Sequence, residues 1–394
     1  MVVAYSARAP VRFNPTTVRN NTIMLNFLFI LPSRAARIQT VSRGGYWLIP
    51  PRVEVPPPSN GPDGSAPVSP AAFQECLKAR YCYEQGSHVS VVPAIGYFEK
   101  AVASNPRFAR AYAGLADCYN FMARAGFENP DDCYRRSKAA AMTALDLDDD
   151  APEPHASLAL ARMCQGLEWG TAEAGFRKAI SLNPDYPCGH NWLALCLLAR
   201  GRIAEAIREA ETARSLDPVS IVFAGMLVRC LFAARAFQEA ENVCLDMLEL
   251  RPTYPALEWL LDECYWHQGR AEQARQRLEY MREIAGLNPT KAAVSLAVFS
   301  GQPDKAIEML VRLGGAVERA ASIWWARVCA WVGDPPGAFR WLDCAFQHKD
   351  TGVLLVDVDP SFTHLRSEPR FETLLRNLRL RPASPLTPAR SHTA

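Results

Sequence analysis

"AISLNP" (residues 179–184), "ARSLDP" (213–218) and "MLELRP" (247–252) decide how this 394-residue chain folds. Each ends an alanine- and leucine-rich stretch with a proline, and the prolines stand at 184, 218 and 252, 34 residues apart. "AVASNP" (101–106) and "ALDLDD" (144–149) extend the series upstream, with Asp149 in the proline's place and gaps of 43 and 35. A fixed period of this length over helical texture predicts two helices per unit, stacked into an array. Proline stops the second helix, because it lacks an N–H and clashes with the preceding turn, and it suits the start of the next helix.

The second helix of each unit spaces small residues on one face. Ala94, Phe98 and Ala101 do so, as do Ala172, Phe176 and Ala179, and then Ala206 and Ala213 after the turn at Gly201. Small side chains let the two helices approach, and the aromatic fills the gap to the next unit. The first helix carries a large residue and then a Leu-small pair, as in Tyr112, Leu115, Ala116 and Tyr119. Later units drift but keep Gly269 with Ala274, Gly301 with Ala306, and Gly333 with Ala338, Leu342 and Ala345. On these residues the chain resembles the tetratricopeptide-repeat (TPR) family. The resemblance implies an all-α fold: a right-handed superhelix of about eight helical hairpins between Ala71 and His348, with a concave groove. The extra residues between Tyr119 and Tyr134 are expected to lengthen one connection as a surface loop.

The net charge of +2 creates no field that would by itself draw nucleic acid. Twelve cysteines are scattered singly from Cys76 to Cys344, with no CxxC pair and no zinc spacing. They read as small buried apolar residues of a reducing compartment, so the expected location is cytoplasmic, with no metal and no cofactor. The apolar run Ile23–Leu31 has nine residues, too few for a membrane span of about 20. A signal peptide is disfavoured by the long leader and by "PSRAAR", so a short strand or buried segment is expected there. No phosphate-binding, dinucleotide, HExxH or GxSxG motif occurs, so no enzyme is expected and no catalytic residue is assigned. The seven histidines are dispersed, and His155 and His190 fall at packing positions.

A protein or peptide partner in the groove is the expected ligand. Register places Arg110, Asp117, Asn120, Asn191, Arg229, Trp259, Glu263, Trp266 and His267 on the groove side of the first helices. Trp259, Glu263, Trp266 and His267 share one helix face, and two uses stay open for the tryptophans: gripping a peptide or packing against the next hairpin. Some TPR domains clamp a C-terminal carboxylate with Lys and Asn four apart. The matching pairs here are Ala113 with Asp117 and Asn191 with Leu195, so that clamp is absent.

After the array, Asp359, Pro360, Phe362, Leu365, Arg366, Pro369, Phe371, Leu374 and Leu375 resemble the closing segment of a group of bacterial TPR regulators. That resemblance implies a strand-like stretch and then an amphipathic helix, sealing the end of the superhelix. In that group the array often follows a winged-helix DNA-binding domain whose last hairpin is similar to Ile38, Thr40, Val41, Arg43, Gly44, Gly45, Tyr46, Trp47 and Leu48. Only 36 residues precede this stretch, and they show no basic recognition helix. Arg37 and Arg43 imply at most weak, salt-sensitive contact with DNA phosphates. The expected organisation is a partial winged-helix remnant (1–52), a Pro/Gly/Ser-rich linker (53–70), the TPR array (71–348), a capping segment (349–380) and a disordered tail (381–394). The leading reading is the interaction or sensor module of a truncated transcription regulator. A functional DNA-binding regulator and the regulatory part of a nucleotide cyclase or kinase-type signalling protein are the alternatives. No membrane partner is expected, and the oligomeric state is left open.

Overall fold

The computed structural model describes residues 37–41, 45–49, 69–84, 87–250, 254–284, 288–312 and 322–380. The chain forms two units, residues 1–67 and 68–394. In the first, β1 (Arg37–Val41) pairs antiparallel with β2 (Gly45–Ile49), with Gln39 opposite Trp47. Arg43 and the side chain of Arg37 lie outside the described residues. The winged-helix reading therefore stays with the sequence.

The second unit is an all-helical TPR-like superhelix. Its paired helices are α1 (Pro70–Glu84) and α2 (His88–Ser104), α3 (Ala109–Arg124) and α4 (Pro130–Leu147), α5 (Pro152–Gly166) and α6 (Trp169–Leu182), then α7 (Pro187–Ala199) and α8 (Ile203–Leu216). These are followed by α9 (Ile221–Ala233) and α10 (Phe237–Leu250), α11 (Pro255–His267) and α12 (Ala271–Ile284), α13 (Pro289–Phe299) and α14 (Pro303–Arg312), and α15 (Ser322–Trp331) and α16 (Pro335–Gln347). Two 3-10 turns, Thr351–Leu355 and Pro360–Leu365, and a last helix α17 (Pro369–Asn377) complete it.

The sequence pattern explains the pairing. In the even-numbered helices the residues at i, i+4 and i+7 are buried: Ala94, Phe98 and Ala101 in α2; Ala172, Phe176 and Ala179 in α6; Ala206, Ala210 and Ala213 in α8; Ala240, Cys244 and Met247 in α10; Ala338, Leu342 and Ala345 in α16. This is one face of a helix. Its small residues allow such close approach that a methyl on Gly114 of α3 would overlap the Phe98 ring. Pro184 and Pro218 follow the capping residues Asn183 and Asp217 and stop α6 and α8. A different proline starts many of the odd-numbered helices, at 152, 187, 255 and 289, where the missing N–H costs nothing.

Within a pair, the turn runs through a left-handed residue: Gly201, Arg235, Gly269, Gly301 and Gly333 have φ between +60° and +74°. At Gly201 the next N–H, of Arg202, reaches back to Leu197 O at 2.9 Å and closes the helix. The connection between α3 and α4 spans residues 125–129, inside the stretch read as an insertion.

Residues 351–365 are not the strand-like stretch that the sequence resemblance implies. Asp350 and Asp359 each accept the N–H two residues on, from Gly352 and Ser361, both at 2.9 Å. These local bonds wind the chain into 3-10 turns.

Candidate interaction groove

The odd-numbered helices pack side by side and share a register. The position six residues before these left-handed turn residues carries Leu195 (before Gly201), Arg229 (before Arg235), Glu263 (before Gly269), Ser295 (before Gly301) and Arg327 (before Gly333). Three of these five are charged, and the structure brings two of them together. Arg327 Nη1 donates to Glu263 Oε1 at 3.2 Å, and Arg327 Nε donates to Asp359 Oδ2 at 2.7 Å. Arg229, Glu263, His267, Arg327 and Asp359 line a void of about 30 Å³, with Leu198, Phe232 and Leu260 supplying apolar wall. Such a void holds one or two waters.

Burial sets the electrostatics here. It pushes the Glu263 carboxyl above its ordinary range despite the Arg327 guanidinium. Burial also opposes the charge on Asp359, but Arg327 and the Ser361 N–H outweigh it and leave that carboxyl below its usual value. Arg327 gains enough from Asp359 and Glu263 to stay firmly protonated although buried. Arg229 forms no ion pair among the described residues, and burial with the nearby Arg327 lowers its pKa. His267 is lowered to about 4, mainly by burial, with Asp359 opposing and Arg327 and Arg235 reinforcing the shift. Its ring stacks on Phe237 with centroids 4.9 Å apart and planes at 7°.

The wall is covered by the chain itself. Residues 350–366 do more than close α15 and α16. Val353, Leu354, Leu355, Val356, Val358, Phe362 and Leu365 are all buried. The Ser361 hydroxyl lies 3.5 Å from His267 Nε2, and Arg235 Nη2 donates to the Thr363 hydroxyl at 2.9 Å. Farther along, Trp169 Nε1 donates to Leu378 O at 3.0 Å, and Arg379 reaches Gly166 O at 3.3 Å. Residues 350–366 thus run from α15 and α11 past α9, and residues 378–379, after α17, reach the α5–α6 turn. The segment's resemblance implies a seal at the end of the superhelix; in the structure it lies along the inner side of the odd-numbered helices.

The other expected groove residues divide. Arg110 is exposed. Asp117 and Asn120 are not free groove groups: they join α3 to α5, since Asp117 bonds the Ser157 hydroxyl and Asn120 Nδ2 donates to Ser157 O at 3.0 Å. Asp117 also faces Arg80 of α1 at 3.4 Å. Asn191 is 1% exposed and its amide has no partner among the described residues. Trp259 packs edge-on to Trp324 at 6.0 Å, and Trp266 lies against Phe299 and Trp331 at 5.6 and 5.8 Å. Both tryptophans therefore serve the contact with following hairpins, because their large rings fill the space between successive odd-numbered helices. Arg327 is absent from the groove residues expected from register, and Asp359 enters the sequence pattern only through the closing segment. The six-before-the-turn register would have found Arg327 from Gly333.

The twelve cysteines are free thiols, nine of them buried, and burial raises the pKa of Cys118, Cys164, Cys196 and Cys230 among others. Among the described residues no helix is long and apolar enough to cross a membrane.

Two tetratricopeptide-repeat families match the chain, over residues 176–208 and 231–290. No curated protein sequence matches. Among solved structures, the human IFIT1 dimer with m7Gppp-AAAA superposes with a TM-score of 0.50 at 15% identity, covering 70% of this chain and 72% of that one. PilF of Pseudomonas aeruginosa gives a TM-score of 0.40 at 18% identity, covering 51% and 91%. YrrB, a TPR protein with an unusual peptide-binding site, gives 0.35 at 16% identity, covering 54% and 96%. Family matches, helix pairing and repeat register agree: this chain carries tetratricopeptide repeats, wound into an all-helical superhelix.

Proposed function

We propose that the chain is a non-enzymatic interaction module whose inner face takes an extended protein segment with apolar residues interleaved with acidic ones. One observation carries this reading: residues 350–366, "DTGVLLVDVDPSFTHLR", already lie there, held by Arg327 on Asp359 and by burial of the leucines and valines. Apolar side chains supply the area, and a buried charge pair supplies register. A partner of like chemistry exchanges with this segment, against the high effective concentration of a tethered competitor.

The test is fluorescence anisotropy of a labelled peptide spanning residues 350–366. Asp359→Lys in the full chain repels the tethered segment from Arg327 and leaves the wall intact. The peptide then binds this variant about tenfold or more tighter than the unaltered chain. Equal or absent binding to both sinks the reading.

The wider context we propose is a bacterial transcription regulator working in the cytoplasm. It is supported by the likeness of Ile38, Thr40, Val41, Arg43, Gly44, Gly45, Tyr46, Trp47 and Leu48 to a wing hairpin, with Arg37 and Arg43 as DNA-backbone contacts. Mobility shift of promoter DNA, with the full chain and with residues 1–52 removed, decides it. A salt-resistant, sequence-specific shift lost on removal supports a DNA-binding regulator, and no shift leaves the interaction module alone.

A further inference from the structure

A second cleft, of about 390 Å³, lies between the α3–α4 connection and the end of α16. Arg124, Phe127, Glu128 and Asp131 stand on one side, and His348, Lys349 and Asp350 on the other. Its size is that of a small-molecule site. Its two sides come from sequence positions some two hundred residues apart, joined by the Lys349–Asp131 ion pair.

The charges around it do not balance pairwise. Asp131 is taken by Lys349 and by Gln165 Nε2 at 3.1 Å, and the bond from Lys349 holds its carboxyl below the usual range. Asp350 accepts from the Gly352 N–H at 2.9 Å and the Ile323 N–H at 3.2 Å. Glu128 faces Arg136, outside the cleft, at 3.9 Å. Arg124 is different. Its guanidinium forms no ion pair among the described residues, and its Nε is buried without a hydrogen-bond partner. Its Cζ lies over the Trp192 ring, 4.4 Å from the centroid. A guanidinium with unmet donors, fixed on an aromatic face, is preorganised for an oxyanion, because its fork geometry matches two oxygens. His348 and Lys349 add donors on the opposite side, and Phe127, 44% exposed, offers a ring at the rim.

We infer that this cleft is a binding site for an aromatic or otherwise partly apolar small molecule bearing a carboxylate or phosphate, with Arg124 as its anchor. The site is separate from the inner wall at Arg327 and does not rest on the peptide reading. Ligand bound there touches both the second hairpin and the residue at which the inward-turning segment begins.

Isothermal titration of the full chain with phenyl phosphate, benzoate and benzyl alcohol tests it. At least one of the two anions binds saturably, one per chain, and the neutral alcohol does not. The tighter of the two anions identifies the headgroup. Arg124→Gln weakens binding about tenfold or more, the cost of losing charge-assisted hydrogen bonds. Arg124→Lys, which keeps the charge but loses the fork, falls between. Phe127→Ala, at the exposed rim, weakens the aryl anions without threatening the fold, which keeps the test open if Arg124→Gln does not fold. No binding of either anion, equal binding of the alcohol, or affinities unchanged in the folded variants overturns the proposal.

Discussion

Arg327 and Arg124 sit on odd-numbered helices of the same array, and their surroundings differ completely. Arg327 is enclosed between Glu263 and Asp359, with a carboxylate from α11 and another from the segment that covers it. Arg124 lies against Trp192 with no carboxylate partner among the described residues. One cation is already satisfied by the chain; the other has donors left over. A buried charge pair costs desolvation and gives little net stability, but removing one member leaves the other stranded. The centre of the inner face therefore resists substitution, whereas the cleft at Arg124 is available to a ligand.

The largest expected effect follows at the enclosed cation. Arg327→Ala strands Glu263 and Asp359 and costs about 3–5 kcal/mol, read as a lower urea midpoint with loss of order first in residues 350–366. Next is acidification. His267 titrates at about 4 in the folded chain, below the ordinary value near 6.5 of an unfolded histidine. Folding therefore favours the neutral ring: its contribution is fully present above pH 6.5 and is lost as pH falls from 6.5 toward 4. The loss is at most about 3 kcal/mol. Glu263, raised by burial, changes in the opposite sense, so His267→Phe isolates the ring. This variant keeps the stack on Phe237 and flattens that part of a Tm-against-pH curve.

Trp169→Phe keeps most of the buried area but loses the bond to Leu378 O, costing about 1–2 kcal/mol in thermal or urea unfolding. The smallest effect is at Lys349→Ala. Its pair with Asp131 is partly exposed, so the change in midpoint stays within about 1 kcal/mol. A large loss at Lys349 with a small one at Arg327 would reverse the ranking of the two regions.

Much of this fold is legible in sequence because it is local. Pro184 and Pro218 stop helices, the Ala-Phe-Ala faces of α2 and α6 pair them, and Gly201 permits the left-handed turn; each acts within one repeat. The inner face was half legible. Arg229, Glu263 and His267 follow from register and do line the wall. Trp259 and Trp266 follow from the same face but go to packing, because a large ring is drawn to the nearest apolar neighbour. Asp117 and Asn120 were misread because their partner, Ser157, stands a whole repeat away. The path of residues 350–366 was hidden for the same reason on a larger scale. The contacts of this segment and of α17 reach back to Arg235, His267 and Trp169, and no periodicity encodes that distance.

Hydrogen exchange of the full chain, followed by mass spectrometry, bears most directly on the covered inner face. If residues 350–366 lie on the inner wall, amides of 353–362 exchange as slowly as those of α11 and α15, and Arg327→Ala releases them while α3 and α5 stay protected. Exchange of 353–362 at the rate of an open loop in the unaltered chain, or protection untouched by Arg327→Ala, would contradict the account.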